Sequence, residues 1–452
     1  MGYLTEPARE VPVVHTCDLC VVGGSCTGVF AAVRAAQLGA EVCVVESNGF
    51  FGGVATAGLV NIWHSLLDTR NERQLIGGLT AEVVERLKKR GGVVEHTPTA
   101  SSHFVLNTAE LILELDALVM EHHICPFLHA RFVQPVVDDG RVVAAIIEDK
   151  TGRRAIRARL FIDATGDGDL LVRAGFPFRK LEDVQPPTMC FHLHGLDEIR
   201  RQNPGFDLAK VVHDPQYPEA LRQGLLWHAA VAGVPDLTLV AGTRAHNADC
   251  SDADQLTQAS LETRRQVRSM CDLLRRHLPG GESVALAAIA AQIGIRETRH
   301  AQCLHTLTEA EVLHGVRFDD AIANGTYRVD VHHSGKAGLT FRYLDGREDY
   351  CAPGQPTQSG RWRPIQDEDP TFYQIPYRSL VPQGASNLLV AGRLVDADRG
   401  AYGAVRVMVN CNQTGEAAGA AAALALRENG GVAEVNAVKL RQTLSDIGAI
   451  IL

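Results

Sequence analysis

Gly23, Gly24, Ser25, Cys26, Thr27 and Gly28 form a small-residue turn between an apolar run, CDLCVV, and a stretch with helical spacing, TGVFAAVRAAQL. Glycines at such a turn let the backbone approach a pyrophosphate closely, and the N-terminus of the following helix meets its negative charge. Glu46 closes the next apolar run, 18 residues beyond Gly28, where a carboxylate can accept hydrogen bonds from a ribose hydroxyl. The chemistry predicted is dinucleotide binding. Ser25 stands where the fingerprint has its middle glycine, although its hydroxyl could donate to a phosphate. A lone Gly-rich turn is weak evidence. Strand, helix and acidic strand end in register favour the dinucleotide over a helix-packing turn of an ordinary α/β protein. Later segments carry residues able to hold oxygen atoms or move protons: Arg296 and Arg299 in IRETR, His332 and His333 in DVHH, and Arg406 in GAVR.

The elements that position these residues follow from periodicity. A strand ending in glycines, a helix stopped by Gly39 and a second strand ending at Glu46 make one βαβ unit, the opening of a parallel, doubly wound sheet. Helices are predicted over 80–89 and 108–121, and strands over 131–137 and 140–149. A last strand, IRARLFID, stops at ATGDGD. Residues 181–284 are richer in His, Gln, Arg and Pro, with a helix near 253–278, and read as an inserted domain. The apolar runs 284–295 and 417–426 fit buried helices, and HAQCLHTL alternates like a strand. Thr308 to Glu311 form a capping box. Residues 352–370 are a Pro-rich loop without period, and a small-residue helix covers about 405–426.

Three further segments specify the dinucleotide. Gly52-Gly53-Val54-Ala55-Thr56 follows Glu46 closely, Ala164 to Asp169 ends a strand after a meander, and NLLVAGR precedes a late helix start. Together they resemble the FAD-dependent oxidoreductases of the glutathione-reductase-like superfamily. There the ATG strand returns beside the fingerprint, and the late strand and helix hold the ribityl chain and flavin ring. GIRETRH, LTEAEV, DAIANGTYRVDVHH, IPYRSLVP and LLVAGR…GAVRVM are similar to one subgroup, the FAD-dependent oxidoreductase family, over about 14–180 and 285–430. The resemblance implies tightly bound FAD and redox chemistry at the flavin, but no substrate. It implies cofactor contacts from Gly23, Gly24, Ser25, Cys26, Thr27, Gly28, Glu46, Ser47, Gly52, Gly53, Thr56, Phe132, Val133, Ala164, Thr165, Gly166, Asp167, Gly392 and Arg393. The fold expected is α/β, with a Rossmann-like FAD-binding domain formed by residues 1–180 and 285–452 and interrupted by a substrate or cap domain at 181–284.

Four residues are candidates to act on substrate beside the flavin: Arg296, His332, His333 and Arg406. Arg296 and Arg299 share a face only if their segment is helical, and Glu297 offers a structural ion pair instead. Adjacent histidines face opposite ways, so at most one of His332 and His333 points at the flavin. Arg406 is similar in placement to the arginine of a glycine-x-x-arginine run in fumarate-reductase-type flavoproteins. His64 could line the ring. No metal site is expected: in an alternating strand only Cys303 and His305 of the His300, Cys303, His305 set share a face. Cys17 and Cys20 lie in a strand too extended for a redox disulfide and read as core thiols.

No second Gly-rich unit offers an NAD(P)H domain, so flavin is expected to pass electrons from one small molecule to an unidentified electron acceptor. The leading expectation is hydride transfer between a small polar metabolite (alcohol, amine or C–C bond) and flavin N5. The alternatives are a non-redox FAD-binding protein with a structural or nucleic-acid-modifying role, and an NAD-binding regulatory domain. With 44 basic against 53 acidic residues, a net charge of −9 argues against nucleic-acid partners. No apolar run has membrane-spanning length, so no membrane partner is expected. The 11 scattered cysteines and the absence of a visible secretory signal suggest a cytoplasmic protein.

Overall fold

The computed structural model describes residues 2–97 and 102–452. The fold is α/β, with a Rossmann-like domain around an inserted one. Its sheet is centred on the strand Val13–Val22, which pairs in parallel with Val42–Val45 on one side and with Gly152–Asp163 on the other. Cys125–Phe127 extends the parallel set beyond Val42–Val45. The first half of Gly152–Asp163 pairs antiparallel with Arg141–Asp149, whereas its last residues pair in parallel with the late strand Leu388–Val390. One long strand thus carries the meander at one end and the returning chain at the other. That return brings residues 392–406 beside the fingerprint.

Between the first two strands runs the helix Cys26–Gln37, with Ser25 as its N-cap. It packs against Met408–Glu428 so closely that a Cβ on Gly415 or Gly419 would fall 2.2 Å from Thr27 O or 2.1 Å from Ala31 O. This approach explains the run of small residues there. A buried ion pair, Arg34 to Glu416 at 2.7 Å, crosses the same contact. The small-residue helix read over about 405–426 is Met408–Glu428, and a separate short helix, Arg399–Val405, precedes it, with Arg406 and Val407 between the two.

The inserted domain is a four-stranded antiparallel sheet, in the order Trp227–Ala230, Leu237–Ala241, Phe191–His194 and Ala285–Ile289, covered by the helix Ala253–His277. It has its own core, including Met189, Phe191, Val267, Leu274 and Ile293. The run 284–295, read as a buried helix, instead holds the strand Ala285–Ile289, which pairs with Phe191–His194 and lies beyond the 181–284 segment. A second antiparallel sheet contains Val329–His332, Leu339–Arg342, Arg347–Cys351 and Gln358–Arg361. Its last strand lies within the segment read as loop. All four of its residues are exposed, so no apolar alternation marks it. HAQCLHTL contributes only the short strand Arg299–Ala301. Among the described residues, no helix is long and apolar enough to cross a membrane.

Candidate active site

The fingerprint turn is held by its glycines. A Cβ on Gly23 (φ +104°) would lie 2.4 Å from Ala164 O, so the 164–167 loop rests directly on the turn. A Cβ on Gly28 would lie 1.8 Å from Gly23 O, which fixes the helix start against the strand end. Ser25 has φ −63° and needs no glycine; its Oγ accepts from Gly28 N at 3.4 Å. The departure from the fingerprint therefore supplies an N-cap. Ser25 also bridges Gly52, Cys26 Sγ donates to Gly52 O at 3.7 Å, and a Cβ on Gly53 would meet Ser25. Thr56 Oγ1 donates to Phe51 O at 2.7 Å and braces that second turn. Thr27 is buried beside Gly392, whose amide donates to Thr414 Oγ1 at 2.9 Å.

Glu46 Oε2 accepts from Gly24 N at 2.8 Å, and Oε1 accepts from Asn48 N and Nδ2, both at 2.7 Å, and from Ser47 Oγ at 3.1 Å. It thus shapes the turn as well as lying where a ribose is expected. In the ATGDGD loop, Thr165 Oγ1 donates to Asp163 Oδ1 at 2.7 Å, and Asp163 Oδ2 accepts from the amides of Leu170 and Leu171. Burial lifts the Asp163 carboxyl to about 6. Asp167 Oδ1 accepts from Thr298 Oγ1 at 2.7 Å and from Arg393 Nη1 at 3.1 Å, and the Arg393 guanidinium covers Gly166. Phe132 and Val133 lie at a register shift in their strand, where Val133 O accepts from Arg173 Nη1 at 2.6 Å. Glycines wherever a Cβ would strike, first-turn amides of a twelve-residue helix to donate and a carboxylate at the strand end to accept fit FAD.

Beyond Arg393 opens a cavity of about 760 Å³. Val54, Arg393, Arg406 and Met408 line it from the cradle side, and Thr188, Cys190, Leu225, Trp227 and Arg244 from the inserted domain. Arg296 lies between them. Its segment is neither helix nor strand, and Nη1 donates to Pro186 O and Thr188 Oγ1, both at 2.6 Å. Burial, reinforced by the charges of Arg244 and Arg406, pulls its guanidinium well below the ordinary arginine value. His332 Nε2 lies 3.4 Å from Asp330 Oδ1. Asp330 Oδ2 also accepts from Tyr327 Oη at 3.0 Å and Arg406 Nη2 at 3.2 Å. Burial pushes the Asp330 carboxyl up, but His332, Arg406 and Arg328 outweigh it and hold the group well below the carboxylate range. Burial takes His332 down to about 3, Arg296 and Arg244 adding to the effect and Asp330 opposing it. The imidazole is neutral at physiological pH.

Residues 18–444 match the family described as FAD dependent oxidoreductase. The chain belongs to this family. It is an enzyme, and FAD is its cofactor. No curated protein matches the sequence. Among solved structures, the chain is similar to a geranylgeranyl bacteriochlorophyll reductase-like protein from Thermoplasma acidophilum, at 11% identity and a TM-score of 0.48, over 96% of this chain and 83% of that one. It is also similar to p-nitrophenol 4-monooxygenase PnpA from Pseudomonas putida DLL-E4, at 12% identity and a TM-score of 0.43, over 96% and 84%. A third is the myxobacterial chondrochloren halogenase CndH, at 12% and 0.44, over 96% and 80%. Likeness at these identities says nothing of a substrate.

In this oxidoreductase the four candidates for substrate chemistry separate. Arg296, His332 and Arg406 line the cavity. His333 does not: it turns to Thr340, its Nε2 lying 2.9 Å from Oγ1. Arg299 points away from Arg296, to Asp169 at 3.2 Å and Asp167 O at 2.8 Å. Within IRETRH, Glu297 pairs with neither arginine but lies 2.8 Å from His300 Nε2, both fully buried. His64 lines the cavity with its ring 4.1 Å from that of Tyr327. Asp330, Tyr327, Arg328 and Arg244 were not singled out by the sequence. Asp330 could have been, because it lies two residues from His332 on one strand and so shares its face. Arg244 has no local signal.

His300, Cys303 and His305 do not converge, since His300 pairs with Glu297 and His305 with Glu311. The described residues contain one other group of possible metal ligands, His15, Cys17 and Cys43, with ligand atoms within 4.8 Å of one another. None of these lines the cavity. Cys17 Sγ donates to Cys43 Sγ at 3.5 Å, and that bond together with burial pushes the Cys17 thiol up.

Proposed function

We propose that this flavoenzyme acts as a dehydrogenase or oxidase of glutathione-reductase-like type on a small polar metabolite, an alcohol, an amine or a saturated carbon–carbon bond. The observation that carries this reading is the cavity of about 760 Å³ between the cradle and the inserted domain, with a neutral, carboxylate-oriented imidazole in its wall. Bound FAD supplies a two-electron acceptor there. The first-turn amides after Ser25 would hold its pyrophosphate, Glu46 its adenosine ribose, and Gly392 with Arg393 its flavin end. With Nε2 placed 3.4 Å from Asp330 Oδ1, His332 would accept the substrate proton at Nδ1. Arg406 and Tyr327 keep Asp330 ionised and fix the imidazole. Walls from the inserted domain exclude water from the reacting atoms.

A second small molecule takes the electrons away, and neither nucleic acid nor membrane takes part. The cysteines, all free in the structure, support a cytoplasmic setting. The test is direct. Purified protein should be yellow, release FAD on denaturation, and bleach on anaerobic addition of a candidate metabolite. FAD that no alcohol, amine or saturated acid bleaches would overturn the dehydrogenase reading.

A further inference from the structure

Of the arginines that line the cavity, Arg393 pairs with Asp167 and Arg347 with Asp345, while Arg244, Arg296, Arg328 and Arg406 surround Asp330 or lie free of those pairs. The carboxylate among them, Asp330, is already engaged by Arg406, Tyr327 and His332. The other acids of the lining are committed elsewhere. Asp68 accepts from the amides of Glu72 and Arg73, Asp345 pairs with Arg347 and Asp369 with Arg363, the last two at 2.7 Å. Three of the arginines have only neutral partners among the described residues. Arg244, 3% exposed, donates to Thr188 Oγ1, Thr243 O and Leu225 O. Arg296 donates to Pro186 O and the same Thr188 hydroxyl. Arg328 lies over the Phe341 ring, 3.9 Å from its centroid.

Thr188 is the hinge of this arrangement. Its hydroxyl donates to Thr243 O at 3.1 Å, and its oxygen accepts from both guanidiniums at 2.6 Å. Two like charges are therefore held side by side at a buried wall, solvated by dipoles but not neutralised. Arginine cannot relieve this by losing its proton. Burial takes Arg244 down to about 10, Cys190 and Asp330 opposing the effect and Arg406 adding to it. Guanidinium forks side by side match the oxygens of an oxyanion. Val54, Leu225 and Trp227 offer apolar wall for a carbon skeleton attached to it.

We propose that the substrate carries an acidic group, a carboxylate or a phosphate, seated on Arg244 and Arg296. The inference rests on the proposed function and names its substrate class. Isothermal titration of the FAD-loaded enzyme with malonate, inorganic phosphate and neutral malonamide tests it. One of the anions should bind one-to-one and malonamide should not; preference for malonate assigns a carboxylate, and the reverse a phosphate. Arg244→Gln and Arg296→Gln should each weaken that anion roughly 10- to 100-fold with FAD content kept. If Arg244→Gln fails to fold, Arg296→Gln decides. Malonamide binding as well as malonate, no binding by either anion, or unchanged affinity in Arg296→Gln would overturn the inference. Because heat of binding does not depend on flavin reduction, these outcomes are separate from failure of the dehydrogenase reading, which shows as FAD that no metabolite bleaches.

Discussion

The cofactor cradle and the substrate cavity adjoin at Arg393 but are built by different means. The cradle is mostly main chain: Gly23 against Ala164, Gly28 against Gly23 and Glu46 on the amide of Gly24. The cavity is mostly side chain, its charges drawn from Arg244 in the inserted domain, Arg296 at the return point, Asp330 and His332 on a second sheet, and Arg406 between two helices. A site made of backbone requires small residues at fixed spacing and leaves a local trace. A site made of convergent side chains requires only that the fold bring them together.

The deepest break on the cradle side is Arg34→Ala. It leaves Glu416 buried without its partner beneath the fingerprint helix, and unfolding in urea should show a loss of about 3–5 kcal/mol. A loss near zero would mean that the glycine contacts at Gly415 and Gly419 hold the two helices alone. On the cavity side, Arg296→Ala should keep FAD and lower the rate of flavin reduction by substrate roughly 30- to 1,000-fold, about 2–4 kcal/mol. Equal rates would reduce Arg296 to a brace on Pro186. Glu46→Ala should weaken FAD, measured by equilibrium dialysis, by about 1.5–3 kcal/mol while leaving anion binding in the cavity unchanged. Full FAD affinity would remove Glu46 from the cofactor site.

The smallest effect concerns pH. Folding takes His332 from 6.5 down to about 3, so between those values the unfolded chain binds a proton that the folded protein does not. Stability from this group is present above pH 6.5 and is lost as the pH falls toward 3. Between pH 7 and 5 wild type should lose about 1–2 kcal/mol more than His332→Asn. Identical pH profiles would mean that the imidazole titrates normally and is open to solvent.

The same contrast explains what could be read from the chain. The βαβ unit, the helix Thr108–Glu121 and the strand ending at Asp163 announce themselves by period and turn residues. The role of Ser25 does not, because an N-cap looks the same as a defective fingerprint until its backbone angles are known. Ala285–Ile289 is uniformly small and apolar, and nothing local tells such a strand from a helix. Of the cavity, His64, His332, Arg296, Arg393 and Arg406 drew notice in the sequence, whereas Asp330 required the alternation of its strand. Arg244 required the whole inserted domain to be folded back over the site.

The claim that the cavity, and not the cradle, performs the chemistry is tested most directly by anaerobic stopped-flow reduction of FAD-loaded wild type and His332→Asn with a substrate that bleaches the wild type. We expect equal FAD content and a reduction rate lowered roughly 100- to 10,000-fold in the variant, the range for losing a general base. The deficit should shrink as the pH rises and hydroxide replaces the imidazole. Equal rates with equal FAD content would contradict the assignment of proton transfer to His332 and to the pair that it makes with Asp330.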